Sequence, residues 1–212
     1  MSTVAIAGGH GKIALILGAL LAERGDTVRG LIRNPDQADD LRAAGVEPVL
    51  CDLESEGDVA SAVRGADAVV FAAGAGPGSG DARKKTVDLG GAVKLIEAAE
   101  SEGVSRYLIV SSMGADKAPE NGNEGFGAYL QAKFEADEAV RASGLDYTVV
   151  RPGGLTDDPG TGLVEIAEKT ERGKVPRADV AAVLAACLDT PGTIGQSFDL
   201  ISGTTPIPDA LP

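Results

Sequence analysis

The chain is poor in the residues on which several kinds of chemistry depend. Its 212 residues hold two cysteines, Cys51 and Cys187, and one histidine, His10. A single histidine with no Cys/His cluster around it excludes a multi-histidine metal centre, and no metal is expected. Two cysteines so far apart read as reduced, packed thiols rather than a disulfide framework. No apolar run reaches the roughly 18 residues of a membrane span. The first residues, Met1-Ser2-Thr3-Val4, pass straight into an apolar stretch without the basic segment and small-residue cleavage site of a secretory leader, so a cytoplasmic location is expected. Positive charge is also scarce: 19 Lys and Arg stand against 32 Asp and Glu, a net charge of −13. That excess repels phosphate backbones and anionic lipid, so neither nucleic acid nor membrane is an expected partner. A local basic patch can still hold one phosphorylated small molecule.

What the chain does have is a regular alternation of apolar strands and amphipathic helices. Hydrophobic residues make up 43% of it, and its length suits one α/β domain over residues 1–212. Strands are expected over Thr3–Ala7, Thr27–Arg33, Val46–Asp52, Ala66–Ala73, Ser105–Ser112 and Asp146–Arg151. Helices are expected over Lys12–Arg24, from Asn34-Pro35 to Gly45, over Asp58–Arg64, Asp81–Glu102 and Phe126–Ser143, most of them stopped by glycine. Gly74–Gly80 and Met113–Gly125 read as loops. Strands alternating with helices imply a doubly wound parallel sheet with helices on both faces, a three-layer Rossmann-type architecture. Such sheets bind ligands beyond the carboxyl ends of their strands. The last 60 residues are less regular, with a short strand over Leu163–Lys169, a helix over Ala178–Leu188 and a final strand over Gln196–Ile201. They are too few for a second domain, and about 153–212 is expected to form a small cap on the substrate side.

The first strand runs into Gly8-Gly9-His10-Gly11-Lys12-Ile13-Ala14. Gly8 can turn sharply at the strand end, Gly11 lets the backbone approach a pyrophosphate on the positive end of the helix, and Ala14 lets that helix pack closely on the sheet. The spacing is Gly-x-x-Gly-x-x-Ala rather than the common Gly-x-Gly-x-x-Gly. Its place inside a complete strand–turn–helix–strand unit makes it a dinucleotide turn. His10 is read as lining the phosphate site. The second strand ends in Arg33, where an NAD site would carry an acidic residue for the ribose diol. A guanidinium suits a phosphate, so NADP(H) is expected as cofactor in preference to NAD(H). Asp52, at the end of the third strand, is read either as an acceptor for the adenine amino group or as a helix cap. Ala72-Ala73-Gly74, ending the fourth, are small enough for a ribose to lie against the backbone.

With these residues the chain resembles the short-chain dehydrogenase/reductase superfamily, in its atypical NmrA-like or NAD(P)-binding epimerase-like branch. The resemblance also rests on Leu31-Ile32-Arg33-Asn34-Pro35, Cys51-Asp52-Leu53, Val110-Ser111-Ser112, Tyr129-x-x-x-Lys133 and Val150-Arg151-Pro152-Gly153-Gly154-Leu155-Thr156-Asp157. It implies that Gly8, Gly9, His10, Gly11, Lys12, Ile13, Arg33, Asp52, Leu53, Ala72, Ala73, Gly74, Ser111, Lys133, Pro152, Gly153, Gly154 and Leu155 hold the cofactor, and that Ser112, Tyr129 and Lys133 carry the chemistry. Tyr129 and Lys133 share a helix face. An ammonium beside a phenol favours the phenolate, which suits Tyr129 to act as general acid when a carbonyl accepts hydride and as base in reverse. Lys133 would also hold the nicotinamide ribose, and Ser112, or alternatively Ser111, would hydrogen-bond the substrate oxygen. Arg177 and Asp179 are implied to tie the cap to the core.

The pattern departs from the family in two places: Asp88 stands where the epimerases carry asparagine, and the fourth strand ends without asparagine. The readings left open are an oxidoreductase acting on a small carbonyl, quinone or sugar-like substrate, an epimerase using bound cofactor, and a non-catalytic redox sensor with a protein partner. A flavin or biliverdin reductase activity also fits the size.

Overall fold

A computed structural model describes residues 1–55, 58–74, 80, 82, 85–119 and 125–212. The interior of the loop expected over 74–80, the helix start expected at Asp81 and residues 120–124 of the loop expected over 113–125 lie outside these. The first strand, β1 (Thr3–Ala7), shows why the sheet is covered on both sides. Val4 and Ile6 point into one apolar core and Ala5 and Ala7 into the other, and all four are buried. A strand apolar on both faces belongs at the centre of a parallel sheet.

β1 leads into α1 (Lys12–Glu23), β2 (Thr27–Ile32), α2 (Ala38–Ala43), β3 (Glu47–Leu50), α3 (Val59–Val63) and β4 (Ala68–Phe71). A π-helical turn over Lys85–Gly90 precedes α4 (Gly91–Glu102), followed by β5 (Arg106–Val110), α5 (Gly125–Ala142) and β6 (Asp146–Pro152). The chain ends with β7 (Gly154–Thr156), β8 (Leu163–Ala167), β9 (Lys174–Pro176), α6 (Arg177–Asp189), β10 (Gln196–Ser202), β11 (Thr205–Pro206) and α7 (Ile207–Ala210). Among the described residues, nine strands form one sheet in the order β11-β8-β10-β6-β5-β4-β1-β2-β3. From β3 to β10 every pair is parallel, and β8 and β11 close the far edge antiparallel. The strand order reverses between β1 and β4, which is where the glycine turn emerges. Both outermost strands, β3 and β11, contain a proline, Pro48 and Pro206.

The C-terminal region differs from the expected cap. Phe198 and Leu200 of β10 are buried beside Val150, and Val180, Val183 and Leu184 of α6 join the core that contains Leu17 and Leu21 of α1. Most of 153–212 therefore extends the sheet and its helix layer. The reason is physical: β6 would otherwise be an open edge, and the outer face of α1 would be apolar and bare. Only the loop after β7 and the two-stranded β7–β9 ribbon stand apart from the main sheet.

Candidate functional site

Gly8 has φ +77°, a left-handed conformation that L side chains rarely adopt, and a Cβ there would lie 2.6 Å from Ala73 Cα. Gly9 lies against β2: its N–H donates to Leu31 O at 2.9 Å, and a Cβ would meet Gly30 Cα at 2.7 Å. Gly11 is the N-cap of α1, with extended backbone (φ −64°, ψ 147°) and no side-chain cap. The first turn of α1 contains no acidic residue, so its unpaired amides and dipole are not met by a carboxylate of their own helix. Ile13 is buried in the core, leaving only its backbone available to a ligand. Lys12 Nζ reaches Asp157 Oδ2 at 2.5 Å, and Arg177 Nη1 reaches Asp157 Oδ1 at 2.6 Å. These two cations hold the Asp157 carboxyl below its ordinary range, the Lys12 hydrogen bond foremost.

A cleft of about 370 Å³ opens beside the turn. It brings together Gly8, His10, Gly11, Arg33, Asp52, Leu53, Ala72, Ala73 and Gly74 from the expected cofactor set, drawn from the ends of β1, β2, β3 and β4. Gln37, Cys51, Glu54 and Val87 also line it and were missed by the sequence reading. His10 Nε2 lies 2.7 Å from Asp40 Oδ2, which ties the turn to α2. Asp52 is not the cap of α3, a role filled by Asp58, whose Oδ1 accepts from Ser61 N. Asp52 Oδ1 instead accepts from Glu54 N at 2.9 Å and shapes the turn after β3. Arg33 Nη1 lies 2.9 Å from Glu54 Oε2. Both cysteines are free thiols, and burial pushes Cys187 up to about 12 and Cys51 upward as well.

The ends of β5 and β6 carry the second group of expected residues. Ser111 N donates to Val150 O at 2.8 Å and Met113 N to Pro152 O at 3.0 Å, so these two chain segments stay joined past the strands. Ser111 is buried on the side of Asp137. Burial pushes the Asp137 carboxyl up, against the opposing pull of Ser111 and Arg151, whose Nε is 3.0 Å away. Ser112 is half-buried, its Oγ 3.3 Å from Met113 O. Tyr129 is half-buried on α5, its ring 5.7 Å from that of Phe126, which is 68% exposed.

Lys133, one turn along α5, is buried. Its Nζ donates to Val110 O at 3.0 Å, pairs with Asp88 Oδ1 at 3.1 Å, and sits 5.9 Å from the Tyr129 ring centre. Desolvation works against this ammonium, but Tyr129 and Asp88 outweigh it and hold the Lys133 pKa above its ordinary value. Asp88 therefore engages the lysine directly, from a buried place in the π-helical turn.

Pro152 is buried, and the first glycine after it has a packing role. Gly153 N donates to Leu200 O, and a Cβ on Gly153 would come within 2.5 Å of Gly173 O. Gly154 N donates to Gly173 O at 2.9 Å, and Leu155 is 38% exposed on β7. Arg177 pairs with Asp157, which Lys12 of α1 also holds. Asp179 accepts from Thr161 N and Gly162 N and fastens that loop to its own helix. Among the described residues no cluster of His, Cys, Asp and Glu could hold a metal ion, and no helix is long and apolar enough to cross a membrane.

A family profile described as NAD(P)H-binding matches residues 8–191. The chain is 43% identical over 210 residues to an uncharacterized sugar epimerase, YhfK, of Bacillus subtilis strain 168, covering 98% of each. It superposes with a TM-score of 0.90 on a Bacillus halodurans protein described as a candidate NAD-dependent epimerase/dehydratase, 38% identical, covering 98% of this chain and 97% of that one. With ChuY of Escherichia coli O157:H7, described as an anaerobillin reductase, the TM-score is 0.81 at 28% identity, covering 95% of this chain and 97% of that one.

Proposed function

The chain belongs to the NAD(P)H-binding family, and from that premise we propose that it is an NADP(H)-dependent oxidoreductase acting on a small carbonyl, quinone or sugar-like substrate. One observation carries the reading. Arg33, the glycine turn, Ala72–Gly74, Ser112 and Pro152 lie at or just beyond the carboxyl ends of β2, β1, β4, β5 and β6, which are successive neighbours in the sheet. At roughly 4.8 Å per strand, the row from β2 to β5 spans about 14 Å, the reach of an extended dinucleotide. Gly74 and the alanines before it keep its middle open.

When bound, the nicotinamide supplies or accepts a hydride. The chain does the rest. The α1 amides meet the pyrophosphate, Arg33 pairs with the 2′-phosphate, and the Ser112 hydroxyl donates to the carbonyl oxygen. Tyr129 would give that oxygen its phenolic proton, and the Lys133 ammonium would stabilise the phenolate left behind. With Val110 O accepting one of its N–H bonds and Asp88 paired beside it, Lys133 keeps an N–H to offer a ribose hydroxyl.

Titration with NADPH and NADH tests the cofactor. NADPH is expected to bind about ten- to a hundredfold tighter, the scale of a charge-assisted phosphate contact, with most of the difference lost in Arg33→Ala; equal wild-type affinities refute the assignment. For the chemistry, Tyr129→Phe should lower turnover of a substrate found by screening about a hundredfold and leave cofactor affinity alone. Full rate in that variant reduces the site to cofactor binding. An epimerase would leave the cofactor in the state in which it was bound, so net cofactor oxidation during turnover separates it from a reductase.

The tie between Lys133 and Asp88 favours a second reading, a redox sensor in which Tyr129 has no proton to move. A sensor yields no substrate in the screen, and its Tyr129→Phe variant differs from wild type in nothing measurable.

A further inference from the structure

The guanidinium at the end of β2 is already engaged, and its partner is more firmly fixed than the arginine is. Glu54 follows β3 and lines the same cleft as Arg33. Its Oε2 pairs with Arg33 Nη1 at 2.9 Å, while Oε1 accepts from Thr86 Oγ1 at 2.9 Å. Its backbone is held as well: Glu54 N donates to Asp52 Oδ1, and Lys94 of α4 donates to the neighbouring carbonyl of Ser55 at 2.6 Å. The Arg33 side chain is 52% exposed and that of Glu54 is 26% exposed. The arginine is therefore the partner with room to move, and the carboxylate stays at the cleft wall.

From this arrangement we infer that Glu54 sets the discrimination between the two dinucleotides, as a fixed counter-ion from which Arg33 must be drawn when a 2′-phosphate enters. The inference rests on the reading of Arg33 as the phosphate ligand. A phosphate dianion that recruits Arg33 gives up part of the gain, because it lies near a carboxylate that cannot withdraw. A ribose diol has no charge for that carboxylate to repel, and its hydroxyls can donate to it. Glu54 thus lowers affinity for the phosphorylated cofactor selectively, and the about ten- to hundredfold preference expected of the wild type is what remains of a larger Arg33 contribution.

The test is Glu54→Gln, which keeps the shape and a carbonyl acceptor for Thr86 while removing the charge. NADPH and NADH are titrated by calorimetry into wild type, Glu54→Gln and Arg33→Ala, and the thermal midpoint of each free protein verifies folding. Glu54→Gln is expected to tighten NADPH about tenfold, the scale of a unit charge a few ångströms from a dianion in water, and to move NADH by less than about threefold. Equal shifts for both cofactors, no shift in either, or a loss confined to NADH would each overturn the inference. Failure of the underlying reading has its own signature: wild type would bind neither cofactor, or Arg33→Ala would leave NADPH affinity unchanged.

Discussion

Neighbouring glycines in the turn do different jobs. Gly9 is small because β2 is in the way, with Gly30 Cα 2.7 Å from where a Cβ would stand. Gly11 has no such neighbour. Its nearest obstacle is Gly8 O at 3.1 Å, its backbone is extended, and it is exposed. Gly9→Ala is therefore expected to lower the thermal midpoint by several degrees, since the backbones must separate. Gly11→Val should melt close to wild type yet lose dinucleotide binding, because its side chain would fill the pyrophosphate's path. A Gly11→Val protein that binds cofactor normally would mean that the phosphates sit elsewhere.

The glycine turn was legible in the sequence because each glycine has a local backbone reason. Arg33 was legible as a residue type at a strand end, and Tyr129/Lys133 as a pair one turn apart on one helix. Glu54 and the Asp88–Lys133 pair were not. Each depends on which side chain a distant element brings near, and no spacing along one strand or helix encodes that. The glycines at 153 and 154 were read for a ligand, whereas Gly173 and Ile201 already require a small residue at 153.

At the scale of elements, periodicity located the strands up to β6 and most of their helices, and after β6 it also located the strand at 163–167, the helix at 177–189 and the strand at 196–202, but not their place in the sheet and its helix layer. The strand at 196–202 was recognised, but its place beside β6 was not, because a seven-residue strand carries no record of its neighbour. The short β7 and β9 have too few residues to show a period.

Element ends also govern acid stability. Asp26, just before β2, accepts from Ser2 N at 2.8 Å and from Arg24 Nε at 2.7 Å, and its side chain is 7% exposed. The Ser2 hydrogen bond, with Arg24 behind it, lowers its pKa below the usual 3.8 against the cost of burial. A carboxylate with a lowered folded-state pKa stabilises the fold fully above its unfolded value and loses that contribution as pH falls through the folded one. Asp26→Asn should lower the melting temperature at neutral pH by roughly 3–6 °C, the equivalent of about 1.5 kcal/mol. It should also flatten the decline of melting temperature below about pH 4. Parallel melting curves for the two proteins from pH 6 to 3 would show that Asp26 contributes nothing there.

For the whole molecule, the consequence of β10 and α6 is that the cofactor-binding half is not a separable unit. A chain cut after Pro152 keeps the entire glycine turn and every strand end that lines the cleft. It loses the strand that covers β6 and the helix that buries Leu17 and Leu21 of α1. Such a fragment is expected to show no cooperative thermal transition by circular dichroism and to aggregate. A sharp melt would instead identify the last 60 residues as an addition to a complete core.

The prolines in the two outermost strands decide how this molecule can meet others. A strand extends a foreign sheet by lending amides at regular intervals, and a proline has none to lend. At one margin Pro48 interrupts a four-residue strand; at the other Pro206 ends a strand of two residues. Growth of the main sheet from molecule to molecule is disfavoured at both of these margins. The sheet ends where the chain ends it.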